Sequence, residues 1–408
     1  MSNRSDFVKL LLSSFISQSG SYFLTIALAA TVLRDTGSLA QASFIFVLSY
    51  MPAIIGSAKL GSWIDRRLSR GLLIKNDLLS ILATLLCGAA LYLNAPLWML
   101  SVVLAARSIF TFIFRTGTTV WIKRITPPEL QTERIKLNAL FFFLSTAMAG
   151  ILAAQVLKGN SLALIIGVDV ATYVASIVVL MMLGTVPTIP MPQTEETIGP
   201  IKTIQAIFRM PSVRRSFLFV AASQAIFQGA YSAMVSYLPI TRFGLGPEGM
   251  GPFQLAASLG ITLGFVVVWV MPNLLHDKEQ NLPLKSVLYG VGATVGLVFS
   301  ALAGSVMTSL FFFFAMNLFY ECIWLYHFAQ FFRASPKHAI GRYNFVLVAV
   351  SSFFMSLLTL SYAAAVDLWG FPGGLLSTLI IGIVLVSVVA GYSSRQRILE
   401  YAGLEERP

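Results

Sequence analysis

The sequence predicts an all-α membrane protein with twelve transmembrane helices in two pseudo-symmetric six-helix bundles. Three observations carry that class. The 408 residues are 57% hydrophobic and 11% charged, with a mean hydropathy of +0.80, whereas a soluble domain is about one-quarter charged. The apolar residues gather into twelve segments of roughly 20, the length that crosses the hydrocarbon core. Polar features between those segments recur in register after a shift of six. The net charge of +11 raises a nucleic-acid reading, but the cations are spread along the chain between apolar spans, which is the pattern of membrane topology. The expected partner is the lipid bilayer and not nucleic acid.

Taken in order, the spans lie near 7–33, 41–63, 72–94, 97–119, 137–157, 161–183, 216–240, 251–271, 285–304, 307–330, 341–365 and 372–391. The first contains Ala27-Leu28-Ala29, which has the form of a leader cleavage site. The polar run Ser17-Gln18-Ser19-Gly20-Ser21 interrupts what would be the apolar core of a leader, so this segment is read as a span. With both termini in the cytoplasm, Arg34, Lys158 and Arg242 lie outside and Arg107 lies within a span. The remaining lysines and arginines then fall on or just inside the cytoplasmic side, as the positive-inside rule requires. The longest polar interruption, Gly184 to Arg215, divides the chain into bundles at 1–183 and 216–408 joined by a cytoplasmic linker at 184–215. Cys87 and Cys322 both fall inside apolar spans, so neither a disulfide nor a metal site is expected.

The six-span repeat rests on three correspondences. Span one carries Ser17-Gln18 and Tyr22, and span seven carries Ser223-Gln224, Gln228 and Tyr231. Span two has small residues at Ser49, Ala53, Ser57 and Gly61, spaced for close helix approach, then Asp65-Arg66; span eight has Ala256, Gly260 and Gly264, then Asp277-Lys278. Arg124-Ile-Thr-Pro127 after span four matches Arg333-Ala-Ser-Pro336 after span ten.

The stretch Gly61-Ser-Trp-Ile-Asp65-Arg66-Arg67-Leu68-Ser69-Arg70 resembles the signature loop G-x-x-x-D-R-x-G-R-R/K of the major facilitator superfamily. Gly61, Asp65, Arg66 and Arg70 match, while Leu68 and Ser69 depart from the pattern. Gln330, Pro336, Gly341-Arg342 and Asp169 are similar to the branch of drug:proton antiporters that includes macrolide-efflux and enterobactin-exporter proteins. The resemblance implies the major facilitator fold and, from the branch, a multi-pass protein of the bacterial cytoplasmic (inner) membrane, monomeric and without cofactor. It also implies that Asp65 engages the start of span eleven at Gly341-Arg342, making Gly61, Asp65, Arg66, Arg70 and Arg342 a cytoplasmic gate.

Charges within the spans are the candidate coupling residues. An ionised side chain at the bilayer centre costs about 2.5–3.5 kcal/mol on insertion scales, so each needs a partner, a wet cavity or neutralisation. Arg107 and Asp169 lie at like depth, so pairing is open to them. Glu321 has no basic residue near it on span ten, and desolvation disfavours the charged form of such a carboxylate. It is a proton site candidate, sharing a face with Asn317, Trp324 and Phe328. Asp77 is read as capping the start of span three, and Asp367 as solvated at the outer end of span eleven.

Polar stripes mark candidate cavity faces: Ser14, Gln18, Ser21 and Thr25 on span one, and Gln224, Gln228 and Tyr231 on span seven. Spans one, four, seven and ten line the cavity in the family, though such stripes also join helices by hydrogen bonds. With Asn317 and Trp324 they are the substrate-cavity candidates. No Walker loop, Gly-x-Ser-x-Gly elbow or HExxH motif occurs, and His276, His327 and His338 are far apart, so no enzyme is expected. Without a nucleotide site, uphill transport draws on an ion gradient, and protons are the default because one carboxylate can carry one. The expected function is proton-coupled efflux of an amphipathic small molecule, siderophore or macrolide-like, by rocker-switch alternating access. The alternatives are an importer or facilitator of a small metabolite and, more remotely, a membrane scaffold or sensor without flux.

Overall fold

The computed structural model describes residues 2–55, 63–64, 67–93, 95–159, 161–184, 200–271, 282–336 and 340–401. Among these residues all regular structure is helical, and nine helices are long and apolar enough to cross a membrane, with Leu39–Leu48 and Leu288–Leu302 as shorter apolar helices. Span one is Ser2–Thr36, span three Arg70–Tyr92, span four Leu97–Ile125, span five Pro128–Val156 and span six Leu162–Met181. Span eight is Met250–Val270, span nine Leu282–Leu302 and span ten Val306–Ala334.

Local chemistry sets several of these boundaries. Ser38, Ser69, Ser161 and Ser305 each accept a hydrogen bond from a first-turn backbone N–H of spans two, three, six and ten, satisfying donors that a helix start leaves orphaned. Pro128 and Pro211 open their helices at positions where a missing N–H costs nothing. Gly37, at φ 68°, follows span one, and its N–H reaches the Leu33 carbonyl.

Three departures from the expected spans have local causes. Span two is not continuous: its helix stops at Leu48, turns through Ser49 and Tyr50, and resumes over Met51–Ile55. Pro52 has no N–H to give the Leu48 carbonyl, which favours a fresh start there. Ser49 is exposed in that turn, and Ser57 and Gly61 lie outside the described residues. Spans eleven and twelve run as Ile340–Tyr401, broken by Gly370 at φ 73° and ψ 177°, so a single glycine makes the corner between them. Span seven consists of Pro211–Ser223, a π-turn over Gln224–Gln228, Gly229–Tyr237 and a second π-turn over Leu238–Arg242. Such turns concentrate at functional sites. Before it, the helix Pro200–Arg209 lies within the expected linker, with Thr203 and Ile207 buried.

Packing differs between the two ends of the molecule. At the end away from the termini one apolar cluster joins both bundles, from Phe23, Leu33 and Phe46 to Phe227, Phe253 and Phe371. At the end bearing the termini there are two clusters. One holds Phe7, Leu68, Phe114 and Trp121; the other holds Phe217, Phe331, Tyr343 and Leu347. The apolar clusters therefore fuse the bundles at the far end and stay separate at the terminal end, where spans five and eight still meet through Lys136 and Trp269.

Close backbone approach helps the fused end. A Cβ on Gly150 of span five would come within 2.9 Å of the Gly251 carbonyl oxygen and the Leu255 nitrogen of span eight. Further along the same seam, the Thr146 and Ser258 hydroxyls are 2.9 Å apart and Phe143 meets Phe265 at 5.7 Å.

Candidate functional site

Arg107 and Asp169 form a closed pair inside the first bundle. Arg107 Nη2 donates to Asp169 Oδ1 and Oδ2 at 3.1 and 3.0 Å, and the Thr84 hydroxyl donates to Oδ2 at 2.7 Å. Arg107 Nε completes the triangle by donating to Thr84 Oγ1 at 3.3 Å. Both charges are buried. Span one passes closely over them, since a Cβ on Gly20 would meet Asp169 Oδ1 at 2.9 Å. Every strong group here has a partner, which a buried charge pair requires.

The ladder continues along span six. The Tyr173 and Ser21 hydroxyls are 2.9 Å apart, as are those of Ser176 and Ser13, and Ser176 donates to Asp77 Oδ2 at 2.7 Å. Ser21 is thus turned toward span six, and Thr25 donates back to the Ser21 carbonyl at 3.0 Å. Gln18 is 1% exposed and its Oε1 has no partner. Asp77 corrects the helix-cap reading. It lies well inside Arg70–Tyr92, wholly buried, with Oδ1 unpartnered.

In the second bundle, span eight makes room for span ten's polar face. A Cβ on Gly260 would meet Asn317 Cβ at 3.2 Å, and one on Gly264 would meet Glu321 Cβ at 2.9 Å. Asn317 Nδ2 donates to the Phe313 carbonyl at 2.8 Å, while its Oδ1 has no partner. Glu321 is 3% exposed, its Oε1 is unpartnered and no cation pairs with it among the described residues. Trp324 stacks on Phe328 at 4.4 Å and its indole N–H donates to Gln224 Oε1 at 3.3 Å.

The π-turn splits the span-seven stripe. Gln224 meets span ten, Gln228 Oε1 has no partner, and the Tyr231 hydroxyl donates to Gln254 Oε1 of span eight. Gln254 Nε2 donates to Ser258 at 3.0 Å, and Ser258 meets Thr146 of span five. Tyr231 therefore begins a hydrogen-bonded chain that crosses between the bundles.

Asp367 is exposed but not merely solvated, which corrects the sequence reading. Its carboxylate accepts from the Ser38 hydroxyl at 2.8 Å and from the Leu39 and Ala40 N–H groups at 2.9 and 3.0 Å. An acid at the end of span eleven so caps the start of span two, where the helix dipole favours it. The contact borders a crevice of about 490 Å³ that includes Leu33, Thr36 and Tyr237. Removing it in Asp367→Ala should open the far end. Maleimide labelling of a cysteine introduced by Leu33→Cys, a position now 4% exposed, should rise about tenfold, consistent with a cap worth about 1–2 kcal/mol.

Of the expected gate, Gly61, Asp65, Arg66 and the Arg342 side chain lie outside the described residues. Arg70 is placed: its Nη1 donates to the Leu183 carbonyl at 2.9 Å, putting a cation at the end of span six. Lys9 donates to the neighbouring Met182 carbonyl at 2.8 Å. Both suit the negative end of a helix.

Arg115 escaped the sequence reading. Ending span four at 119 grouped it with the cytoplasmic edge, but the helix continues to Ile125, which sets Arg115 about 15 Å inside its end at 1.5 Å per residue. The side chain is exposed, and its guanidinium carbon lies 3.8 Å from the Phe142 ring centroid.

Comparison with known proteins gives this geometry its family. The sequence profile described as Major Facilitator Superfamily matches residues 10–359. The chain belongs to the major facilitator superfamily. Macrolide efflux protein A of Streptococcus pyogenes is 26% identical over 176 residues, 41% of this chain and 43% of that protein. The match thus spans less than half the length of the curated relatives. Among solved structures, the nucleoside transporter NupG aligns with a TM-score of 0.74 at 12% identity, over 94% of this chain and 99% of that one. A POT family transporter in complex with a thioalcohol-conjugated peptide gives 0.73 at 15%, covering 95% and 96%. A bacterial homolog to the human lysosomal transporter Spinster, inward-facing and unoccupied, gives 0.69 at 14%, covering 96% of each chain. These likenesses establish the major facilitator fold, and the family and fold are those of multi-pass membrane transporters.

Proposed function

We propose that this major facilitator protein is a proton-coupled exporter of an amphipathic small molecule, working by rocker-switch alternating access as a monomer in a bacterial cytoplasmic membrane. Both termini face the cytoplasm, bundles at 1–183 and 216–408 move about the linker at 184–215, and the present conformer is inward-open. The observation that carries the reading is the uneven packing, one apolar cluster shared by the bundles at the far end and one for each bundle at the terminal end. A rocker switch needs a seam sealed at only one end at a time.

Glu321 carries the coupling proton. Asp169 is already satisfied by Arg107 and Thr84, whereas Glu321 has an unpartnered oxygen and, among the described residues, no cation paired with it. Asp65, reaching the start of span eleven near Arg342, closes the cytoplasmic end when the far-end contact at Asp367 opens. The partial likeness to macrolide efflux protein A favours export and an amphipathic cargo.

The test is flux in inverted membrane vesicles given an acidic interior. A labelled iron-chelating amphipath should accumulate only while the gradient lasts. Accumulation in right-side-out vesicles instead would make the protein an importer.

A further inference from the structure

We propose that Arg115, with Phe142 and Tyr22, receives an acidic group of the transported molecule, so that the cargo is an amphipathic organic acid. The word cargo rests on the transport reading above; the site does not. Arg107 and Arg115 lie eight residues apart on span four, yet only Arg107 has a carboxylate partner. Among the described residues no carboxylate pairs with Arg115, and none of its side-chain N–H groups donates to a protein acceptor. A guanidinium with no protein acceptor is left to water or to an anion.

Its surroundings are aromatic and come from two other spans. Phe142 of span five covers one face of the guanidinium at 3.8 Å, and Tyr22 of span one meets Phe142 edge-on at 5.6 Å. With the ring against the guanidinium carbon, the donor edge takes no protein acceptor among the described residues. That edge is a fork of N–H donors that matches a carboxylate bidentately. The rings beside it offer an apolar body somewhere to lie. A basic amphipath meets the same rings but is repelled by the charge.

Binding to the purified full-length protein in detergent tests this, with 2-naphthoate and 2-naphthylmethylammonium as probes of like size and opposite charge, read by calorimetry. Naphthoate should bind saturably and at least tenfold more tightly than the ammonium ion. Arg115→Gln should weaken naphthoate at least tenfold, Arg115→Lys by less, and Phe142→Leu a few-fold. Equal affinity for the two probes, or unchanged naphthoate binding in Arg115→Gln, overturns the proposal. If Arg115→Gln does not fold, the two probes on the wild type and the Arg115→Lys series decide it. Naphthoate held through Arg115 by a protein that moves nothing in vesicles would retire the transport reading and leave the site standing; flux from a protein indifferent to naphthoate would do the reverse.

Discussion

Asp169→Ala should be the most destabilising single substitution in the first bundle. It leaves the buried Arg107 guanidinium facing an empty site, with the Thr84 hydroxyl and the Tyr173 ring as its remaining side-chain neighbours. Breaking a buried pair from one side costs about 3–5 kcal/mol, because the surviving charge keeps its desolvation penalty. The melting temperature in detergent should fall steeply, with folded protein scarcely recovered by size exclusion. Replacing both members, Arg107→Met with Asp169→Leu, removes the charge and its penalty together and should restore most of the stability. A double variant as unstable as the single one would show that the pair does more than satisfy itself.

The second large effect is on transport rather than folding. Glu321→Gln keeps the shape of the side chain against Gly264 of span eight and removes the site for a proton. The melting temperature should stay within a few degrees of the wild type. Gradient-driven accumulation in inverted vesicles should drop at least tenfold, while exchange of labelled for unlabelled cargo at equal pH continues, since exchange needs no net proton movement. Loss of exchange together with accumulation would place Glu321 in cargo binding and not in coupling.

The helices were readable because a membrane span declares itself by length and composition, and serines and prolines mark their ends. The like depth of Arg107 and Asp169 could be counted along their spans, so their meeting was legible; Thr84 between them was not, because nothing in sequence aims a hydroxyl. In span two Pro52 marks the break, although the small-residue spacing runs on across it. Arg115 reads in sequence as one more topology signal near the cytoplasmic edge, because the ring that Phe142 lays against it comes from another span. The stripes on spans one and seven were visible, but which neighbour each side chain meets depends on packing. Ser21 turns to Tyr173, and the π-turn sends Gln224 and Tyr231 to different spans. Asp367 and Asp77 failed for the same reason, their partners being distant in sequence.

Alternating access about a seam sealed at one end is the central claim, and paired spin-label distances test it most directly. With Cys87 and Cys322 replaced by alanine, one pair of labels goes on the terminal side through Lys123→Cys and Arg333→Cys, and another on the far side through Lys158→Cys and Ser305→Cys; all four of these positions are exposed. Between pH 8 and 5.5, with and without 2-naphthoate, the two distances should change reciprocally, the terminal pair shortening as the far pair lengthens. Distances that stay fixed, or that lengthen and shorten together, would contradict the account.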